Sequence, residues 1–132
     1  MPHCRPEDLA SVADRWPHAA DNYQAEQWGD MEVGYAKIPG PFDCTSLYRD
    51  GGLAGGVCQC PHYGYVFEGA LRCTYPGTDM PDEVAIAGEA YFFPAGHVLI
   101  YDEATRALEF NPAHALQQLM EAMDRAKRKQ AG

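Results

Sequence analysis

Two thiols and an imidazole occur at alternate positions near the middle of the chain, as Cys58, Cys60 and His62. Alternate residues of a β-strand point to the same face of a sheet, so we expect these side chains to converge if the segment is extended. Cysteine and histidine together are the ligands that zinc, ferrous iron and copper accept. A fourth candidate is His97, which follows a Pro-Ala-Gly turn. The sequence therefore predicts one divalent transition metal per chain, with zinc as the first expectation.

The spacing limits which of these side chains can share one ion. Residues two apart in a strand are ~6.6 Å apart, whereas Cys58 and His62 would be ~13 Å apart in a regular strand. Metal–ligand bonds are ~2.0–2.3 Å long, so these two can share an ion only if the strand bends. Pro61 is the expected bend, because proline cannot donate to a sheet ladder. Cys58, His62 and His97 are therefore the predicted shared set, with Cys60 as the variable member.

The same residues also have purely structural explanations, which stay open at this point. Cysteine is among the most buried residue types, so Cys58 and Cys60 also fit as small apolar filling of a core. His97 also fits as an ordinary loop histidine. We expect the remaining histidines, His3, His18 and His114, at the surface. No catalytic residue and no organic cofactor site is identified.

Composition and charge exclude several kinds of function. The chain has 132 residues, 10 Lys+Arg and 19 Asp+Glu, and a formal charge of −9. Such an acidic chain repels phosphate backbones and anionic lipid, so we expect neither nucleic-acid nor membrane partners. The sequence also has no G-x-S-x-G elbow, no phosphate loop and no G-x-G-x-x-G fingerprint. These absences argue against the corresponding hydrolase, nucleotide and dinucleotide sites.

Cysteine usage predicts a cytoplasmic protein. The five cysteines form an odd set, and no apolar export signal is visible near the first residue. This pattern favours reduced thiols over a disulfide framework.

The elements that must position the candidate ligands are short strands. Runs rich in Tyr, Val, Ile and Phe, broken by Gly and Pro, predict an antiparallel barrel or sandwich. The predicted strands are 23–28, 31–37, 44–48, 57–60, 62–68, 70–75, 83–87, 90–93, 97–101 and 106–110. Apolar periodicity predicts a helix over 6–16 and another over about 112–129. For the second helix, Asn111 is the predicted N-cap and Pro112 the first residue.

The segment 88–99, GEAYFFPAGHVL, carries one family resemblance. Gly88, Pro94 and Gly96 match the G-x5-P-x-G core of the second cupin motif. The position of that motif's histidine holds Leu99, and a histidine occurs two residues early as His97.

The segment 56–69, GVCQCPHYGYVFEG, resembles the first cupin motif less closely. Gly69 matches the glycine that closes the motif. His62 stands at the glutamate position, and Cys58 and Gly56 stand at the two histidine positions. Together the two segments resemble small single-domain bacterial cupins with degenerate metal motifs.

This resemblance covers about 40–112 and implies a fold and two classes of function. We expect one domain over 1–132: a small antiparallel cupin-type β-barrel (jelly roll), with a core of about 23–110 and flanking N- and C-terminal helices. One function is a metalloprotein that binds or acts on a small organic molecule, with iron as the second metal expectation. The other is a metal-free small-ligand-binding or regulatory cupin without catalytic activity. Cupins often pair, and we expect a homodimer formed through the Tyr91–Phe93 strand and the apolar stripe of the C-terminal helix.

Overall fold

Nine β-strands and two α-helices account for most of the chain in a computed structural model, which describes residues 3–132. The strands are β1 (Tyr23–Trp28), β2 (Met31–Ile38), β3 (Phe42–Asp43), β4 (His62–Glu68), β5 (Ala70–Thr74), β6 (Glu83–Ile86), β7 (Ala90–Phe93), β8 (Val98–Tyr101) and β9 (Thr105–Pro112). The helices are α1 (Thr45–Asp50) and α2 (Ala113–Ala131). Among the described residues, no helix combines the length and the apolar composition needed to cross a bilayer.

The strands form two antiparallel sheets. One has the order β1-β2-β9-β4-β7 and the other the order β3-β8-β5-β6. Side chains from both sheets belong to one buried apolar cluster. Two antiparallel sheets that share one core are the arrangement of a jelly roll. The predicted all-β antiparallel fold with a C-terminal helix is confirmed.

The larger sheet sets which side chains face the interior. Along β9, Ala107, Glu109 and Asn111 are buried, and the residues between them are more exposed. β4 lies between β9 and β7, with Tyr63 opposite Phe110. The period of two therefore places two polar side chains of β9 on an interior face.

Two predicted strands are wrong. The segment 44–48 lies mostly in α1, where the Asp43 carboxylate accepts hydrogen bonds from the backbone N–H of Thr45 at 2.8 Å and from its hydroxyl at 2.6 Å. An acidic side chain in this position satisfies a free N–H group at the start of a helix, and that local contact opposes an extended chain. The segment 57–60 forms no strand, and its only sheet contact is an isolated bridge between Cys58 and His97.

The predicted N-terminal helix over 6–16 is also wrong. The structure has a short 3-10 turn at Pro6–Asp8 and another at Pro17–Ala19. Between them the chain pairs with the edge strand β1, since the N–H of Ala25 donates to the carbonyl of Ala10 at 2.9 Å. A backbone group used in that contact is not available to a helix. Three apolar positions of the pattern are nevertheless buried, namely Leu9, Val12 and Trp16, whereas Ala13 is exposed.

The extent predicted for the C-terminal helix agrees with α2, but its predicted start is wrong. Asn111 is not the N-cap, because β9 continues through Pro112 and no side chain caps the helix. The N–H of Ala113 instead donates to the carbonyl of Asp30 at 3.0 Å. The apolar face of α2 packs onto its own chain, where Leu116, Leu119, Met120 and Met123 are buried. That stripe is therefore not a surface for a second copy.

Candidate metal centre and adjoining cavity

Three of the four predicted ligands lie together in the interior. One ligand atom from each of Cys58, His62 and His97 lies within 4.8 Å of the other two. The Sγ atom of Cys58 is 3.7 Å from Nε2 of His62, and the centroids of the two imidazole rings are 4.9 Å apart. All three residues are at most 2% exposed. This is the cluster predicted as the shared set.

Local backbone geometry brings the three residues together. Cys60 lies in a bend and β4 begins only at His62, so the chain does not run straight from Cys58 to His62. On the other side, the N–H of Cys58 donates to the carbonyl of His97 at 2.7 Å, and the N–H of Gly96 donates to the carbonyl of Cys58 at 2.7 Å. Gly96 has a φ of +96°, a conformation that favours glycine. The bend that the spacing required is therefore present.

Cys60 lies outside the cluster of ligand atoms. Its thiol donates to the carbonyl of Pro61, with Sγ and O 3.4 Å apart. Its backbone N–H, however, points at the Sγ of Cys58 at 3.3 Å. An N–H donor stabilises the charged form of the sulfur that it faces. The structure thus gives Cys60 a backbone role beside the cluster.

Both histidines have one ring nitrogen held by an oxygen. Nδ1 of His62 is 2.9 Å from Oδ1 of Asn111, and Nδ1 of His97 is 2.6 Å from the carbonyl oxygen of Pro94. These oxygens accept hydrogen bonds, so Nδ1 carries the hydrogen in each ring and Nε2 keeps its lone pair. Nε2 of His97 is buried and has no hydrogen-bond partner within the described part of the chain. A buried nitrogen in this state fits a missing ligand better than a satisfied core residue.

Burial favours the uncharged forms of two members of the cluster, Cys58 and His97. It raises the pKa of the Cys58 thiol to about 12, although the N–H of Cys60 acts in the opposite direction. Burial and then the neighbouring His62 lower the pKa of His97 to about 4. A thiol and a neutral imidazole are the forms expected near neutral pH. One sulfur and two imidazole nitrogens fit a zinc-type ion, which would favour the thiolate.

A buried carboxylate supports His62 from behind, and the sequence reasoning did not find it. Glu109 accepts hydrogen bonds from the Tyr91 hydroxyl at 3.1 Å, the Asn111 amide at 3.1 Å and the Tyr23 hydroxyl at 3.3 Å. Asn111 therefore links Glu109 to the ring of His62. The available signal was the period of β9, in which polar residues at 109 and 111 share a face with the small apolar Ala107.

A cavity of about 110 Å³ adjoins the cluster. His62 and Glu109 contribute polar groups to it, and α2 covers it with apolar side chains such as Leu116, Met120 and Met123. The space is sufficient for several water molecules or a small organic molecule. Because His62 belongs to both the cavity and the cluster, a molecule in the cavity would lie next to the candidate metal centre.

No family model and no curated protein sequence matches this chain. Among solved structures, it resembles a putative ethanolamine utilization protein Q from Salmonella typhimurium LT2 at 16% identity, with a TM-score of 0.51, covering 80% of this chain and 79% of that one. A cupin-2 domain protein from Shewanella frigidimarina NCIMB 400 also matches at 16% identity, with a TM-score of 0.45, covering 79% and 94%. The EutQ protein of Clostridium difficile matches at 16% identity and a TM-score of 0.47, covering 80% of each chain.

These similarities concern the fold. The chain shares its fold with the putative ethanolamine utilization protein Q, and this is the small β-rich fold that the two sequence segments predicted. At this level of identity the function has to be argued from the site itself.

Proposed function

We propose that this small cupin-type protein binds one divalent transition metal through Cys58, His62 and His97, and that it holds a small organic molecule in the adjoining cavity. Two observations carry the proposal: one ligand atom from each of the three residues lies within 4.8 Å of the other two, and the buried Nε2 of His97 has no hydrogen-bond partner among the described residues. Zinc is the first candidate because it favours mixed sulfur and imidazole sets, and iron is the second.

The charges around the cluster suit a dication. A Cys58 thiolate and the Glu109 carboxylate together carry two negative charges, which would balance a divalent ion in the interior. Burial of a charge without such compensation costs several kcal/mol of desolvation free energy, on the order of magnitude seen in proteins. Asn111 holds the ring of His62 in one orientation, and burial keeps bulk water away from the ligand atoms. A metal bound here would supply Lewis-acid polarisation of a substrate oxygen or activation of a small molecule.

The second candidate function is a metal-free binder of small molecules. The specific observation in its favour is that burial keeps the Cys58 thiol and the His97 imidazole neutral. These two side chains therefore need no ion to avoid buried charge, and the cavity exists in either case.

Metal content separates the two functions. Protein carrying no His-tag, purified under reducing conditions, is analysed for bound elements before and after supplementation with zinc or ferrous iron. We expect about one equivalent per chain, because the three residues form one site. A content below about a tenth of an equivalent after supplementation would remove the metal proposal and leave the binder.

A further inference from the structure

His18 is buried against α2, contrary to the surface position expected for it. Its side chain is 5% exposed. Nδ1 of His18 lies 2.5 Å from Oδ1 of Asp124, and the backbone N–H of His18 donates to the same oxygen at 3.0 Å. The carboxylate therefore fixes both the ring and the backbone of this residue. Since a carboxylate oxygen accepts, Nδ1 carries a hydrogen.

The other nitrogen of this ring has no partner. Nε2 of His18 is buried and forms no hydrogen bond with the residues that the structure describes. His18 also lines the cavity next to the candidate metal centre. A purely structural tie between the N-terminal segment and α2 accounts for Nδ1 and the backbone N–H, but it leaves Nε2 unsatisfied. A buried nitrogen without a hydrogen bond lowers the stability of the fold. A bound molecule that reaches it would therefore form a hydrogen bond with little competition from water.

Charge at this end of the cavity favours an anionic group. Lys127 also lines the cavity, lies three residues after Asp124 on α2, and forms no ion pair with any described residue. Residues three apart on a helix are neighbours. A His18 ring that donates from Nε2 as well as from Nδ1 is a cation, and Asp124 lies in position to balance its charge, so the ammonium group of Lys127 is the positive charge left for a bound anion. An anion would then accept a hydrogen from Nε2 and lie close to the ammonium group.

A cationic ligand is disfavoured because most of the hydrogen-bonding capacity of Glu109 is already used. This is the carboxylate that lines the cavity beside His62, and it already accepts hydrogen bonds from Tyr23, Tyr91 and Asn111. An ammonium group would find only one of the roughly four lone-pair positions of this carboxylate free, because the three donors occupy the others. The side chains between the two polar ends are largely apolar: Ile38, Leu116, Leu119, Met120 and Met123.

We propose that the cavity binds a small organic acid whose carboxylate lies against Nε2 of His18 and Nζ of Lys127. The apolar body of the acid lies along α2 and extends toward His62. This assignment rests on the proposed function for its choice of cavity, and it names the chemical class of the ligand. It does not require the metal to take part in binding the carboxylate.

The experiment compares molecules of one shape and different charge. Butyrate, butyramide and butylamine are titrated at constant ionic strength into the protein as purified, with heat of binding as the signal. We expect butyrate to bind, and butyramide and butylamine to bind roughly tenfold or more weakly, since hydrogen bonds to charged groups are the stronger ones. Equal binding of butyrate and butyramide would overturn the proposal, and so would the absence of binding by all three.

Two variants test where the carboxylate of the ligand binds. Lys127→Met should weaken butyrate binding about two- to fivefold while leaving butyramide unchanged, and Lys129→Met, an exposed control on the same helix, should change neither. His18→Gln should remove the preference for butyrate over butyramide, with a melting curve to verify folding. If both Lys127→Met and His18→Gln keep the full preference, the carboxylate does not lie here. Metal content is measured on every variant and should stay at the wild-type level, so a failure of this assignment is distinguishable from a failure of the metal proposal.

Discussion

The Nδ1 atom of His62 lies 2.9 Å from Oδ1 of Asn111, and the amide of Asn111 in turn donates to Glu109 at 3.1 Å. The Glu109 carboxylate, two residues before Asn111 on β9, thus acts on the candidate ligand through a neutral amide. The orientation of the His62 ring depends on this relay, because Nδ1 has no other hydrogen-bond partner among the described residues.

Asn111→Leu should weaken metal binding without removing a ligand. The side chain of Asn111 is fully buried, and leucine has a similar shape but cannot accept from Nδ1. Loss of such an outer hydrogen bond lowers metal affinity about 10–100-fold. Competition with a chelator measures the affinity. Thr105→Val is the matched control, because Thr105 is a buried polar residue of β9 whose hydroxyl contacts Ala70 and Glu103 instead. Equal losses in both variants would contradict the relay.

Cys58→Ala and His62→Ala should reduce bound metal far more than Cys44→Ala or Cys73→Ala. All four residues are buried, and the two cysteine controls remove the same thiol as Cys58→Ala, but only Cys58 and His62 contribute atoms to the cluster. Elemental analysis gives the metal content, and melting curves identify variants that are simply unfolded. A similar loss in all four would indicate general destabilisation.

Cys60→Ala should retain the metal. Its Sγ lies outside the cluster, and its contribution is a backbone N–H that alanine also has. The variant loses a buried thiol and should be less stable by about 1 kcal/mol, as is typical of a single core substitution. A metal content as low as that of Cys58→Ala would instead make Cys60 a ligand.

The sequence predicted the strands more accurately than the segments between them. Runs rich in Tyr, Val, Ile and Phe, broken by Gly and Pro, identified β4 and most of β9. The helical period of apolar residues gave the wrong prediction at 6–16, where the backbone pairs with Gln24 and Ala25 of β1. Such long-range backbone contacts leave no mark in a local pattern.

At the site, too, local features were predicted from the sequence and long-range contacts were not. Cys58 and His62 were recognised by type and spacing, and Pro61 indicated the bend between them. Glu109 and His18 were missed, because their roles depend on partners 18 to 106 residues away in sequence, such as Tyr91 and Asp124. A sequence shows which residues could bind an ion, whereas the hydrogen bonds that orient them depend on the packed sheets.

Acid should destabilise the metal-free protein through His97. Its pKa is about 4 in the folded chain and 6.5 when unperturbed, so between these values the unfolded chain binds the additional proton. The contribution of neutral His97 to the free energy of unfolding is therefore fully present above about pH 6.5, and it is lost as the pH is lowered toward 4. The slope is about 1.4 kcal/mol per pH unit, for a total of about 3 kcal/mol.

Urea unfolding of the chelator-treated protein at several pH values in this window measures the slope. His97→Gln should flatten it relative to wild type, and His114→Gln, at an exposed position of α2, should leave it unchanged. The carboxylates also titrate in this window, but they contribute equally to the slope in wild type and in both variants, so the comparison isolates His97. An unchanged slope in His97→Gln would show that His97 titrates normally in the folded state.

The outer face of the larger sheet carries a group of exposed aromatic side chains, which we term the aromatic face. Its members are 36% to 51% exposed: Tyr63, Tyr65, Phe67, Phe92 and Phe110. Phe92 packs against Tyr63 with ring centroids 4.9 Å apart, so the group is continuous across β4 and β7. At its margin the Glu68 carboxylate is paired with Arg106 at 2.8 Å. Aromatic enrichment with few free charges is typical of the core of a protein interface.

We propose that two copies of the chain pair through the aromatic face. Tyr91, Phe93 and the apolar stripe of α2 are buried within one chain and cannot take part, which leaves Phe92 as the central contact of its strand. Each copy carries a charge of −9, so two copies can approach only where acidic side chains are absent or already paired.

Light scattering at micromolar concentration should give twice the 14.6 kDa of one chain. Phe92→Glu should give 14.6 kDa, because a carboxylate buried in the interface has no partner. Val84→Glu, equally exposed at 54% but on the other sheet, should leave the dimer intact. A wild-type mass of 14.6 kDa would refute the pairing, and a dimer that persists in Phe92→Glu would show that the copies meet through a different surface.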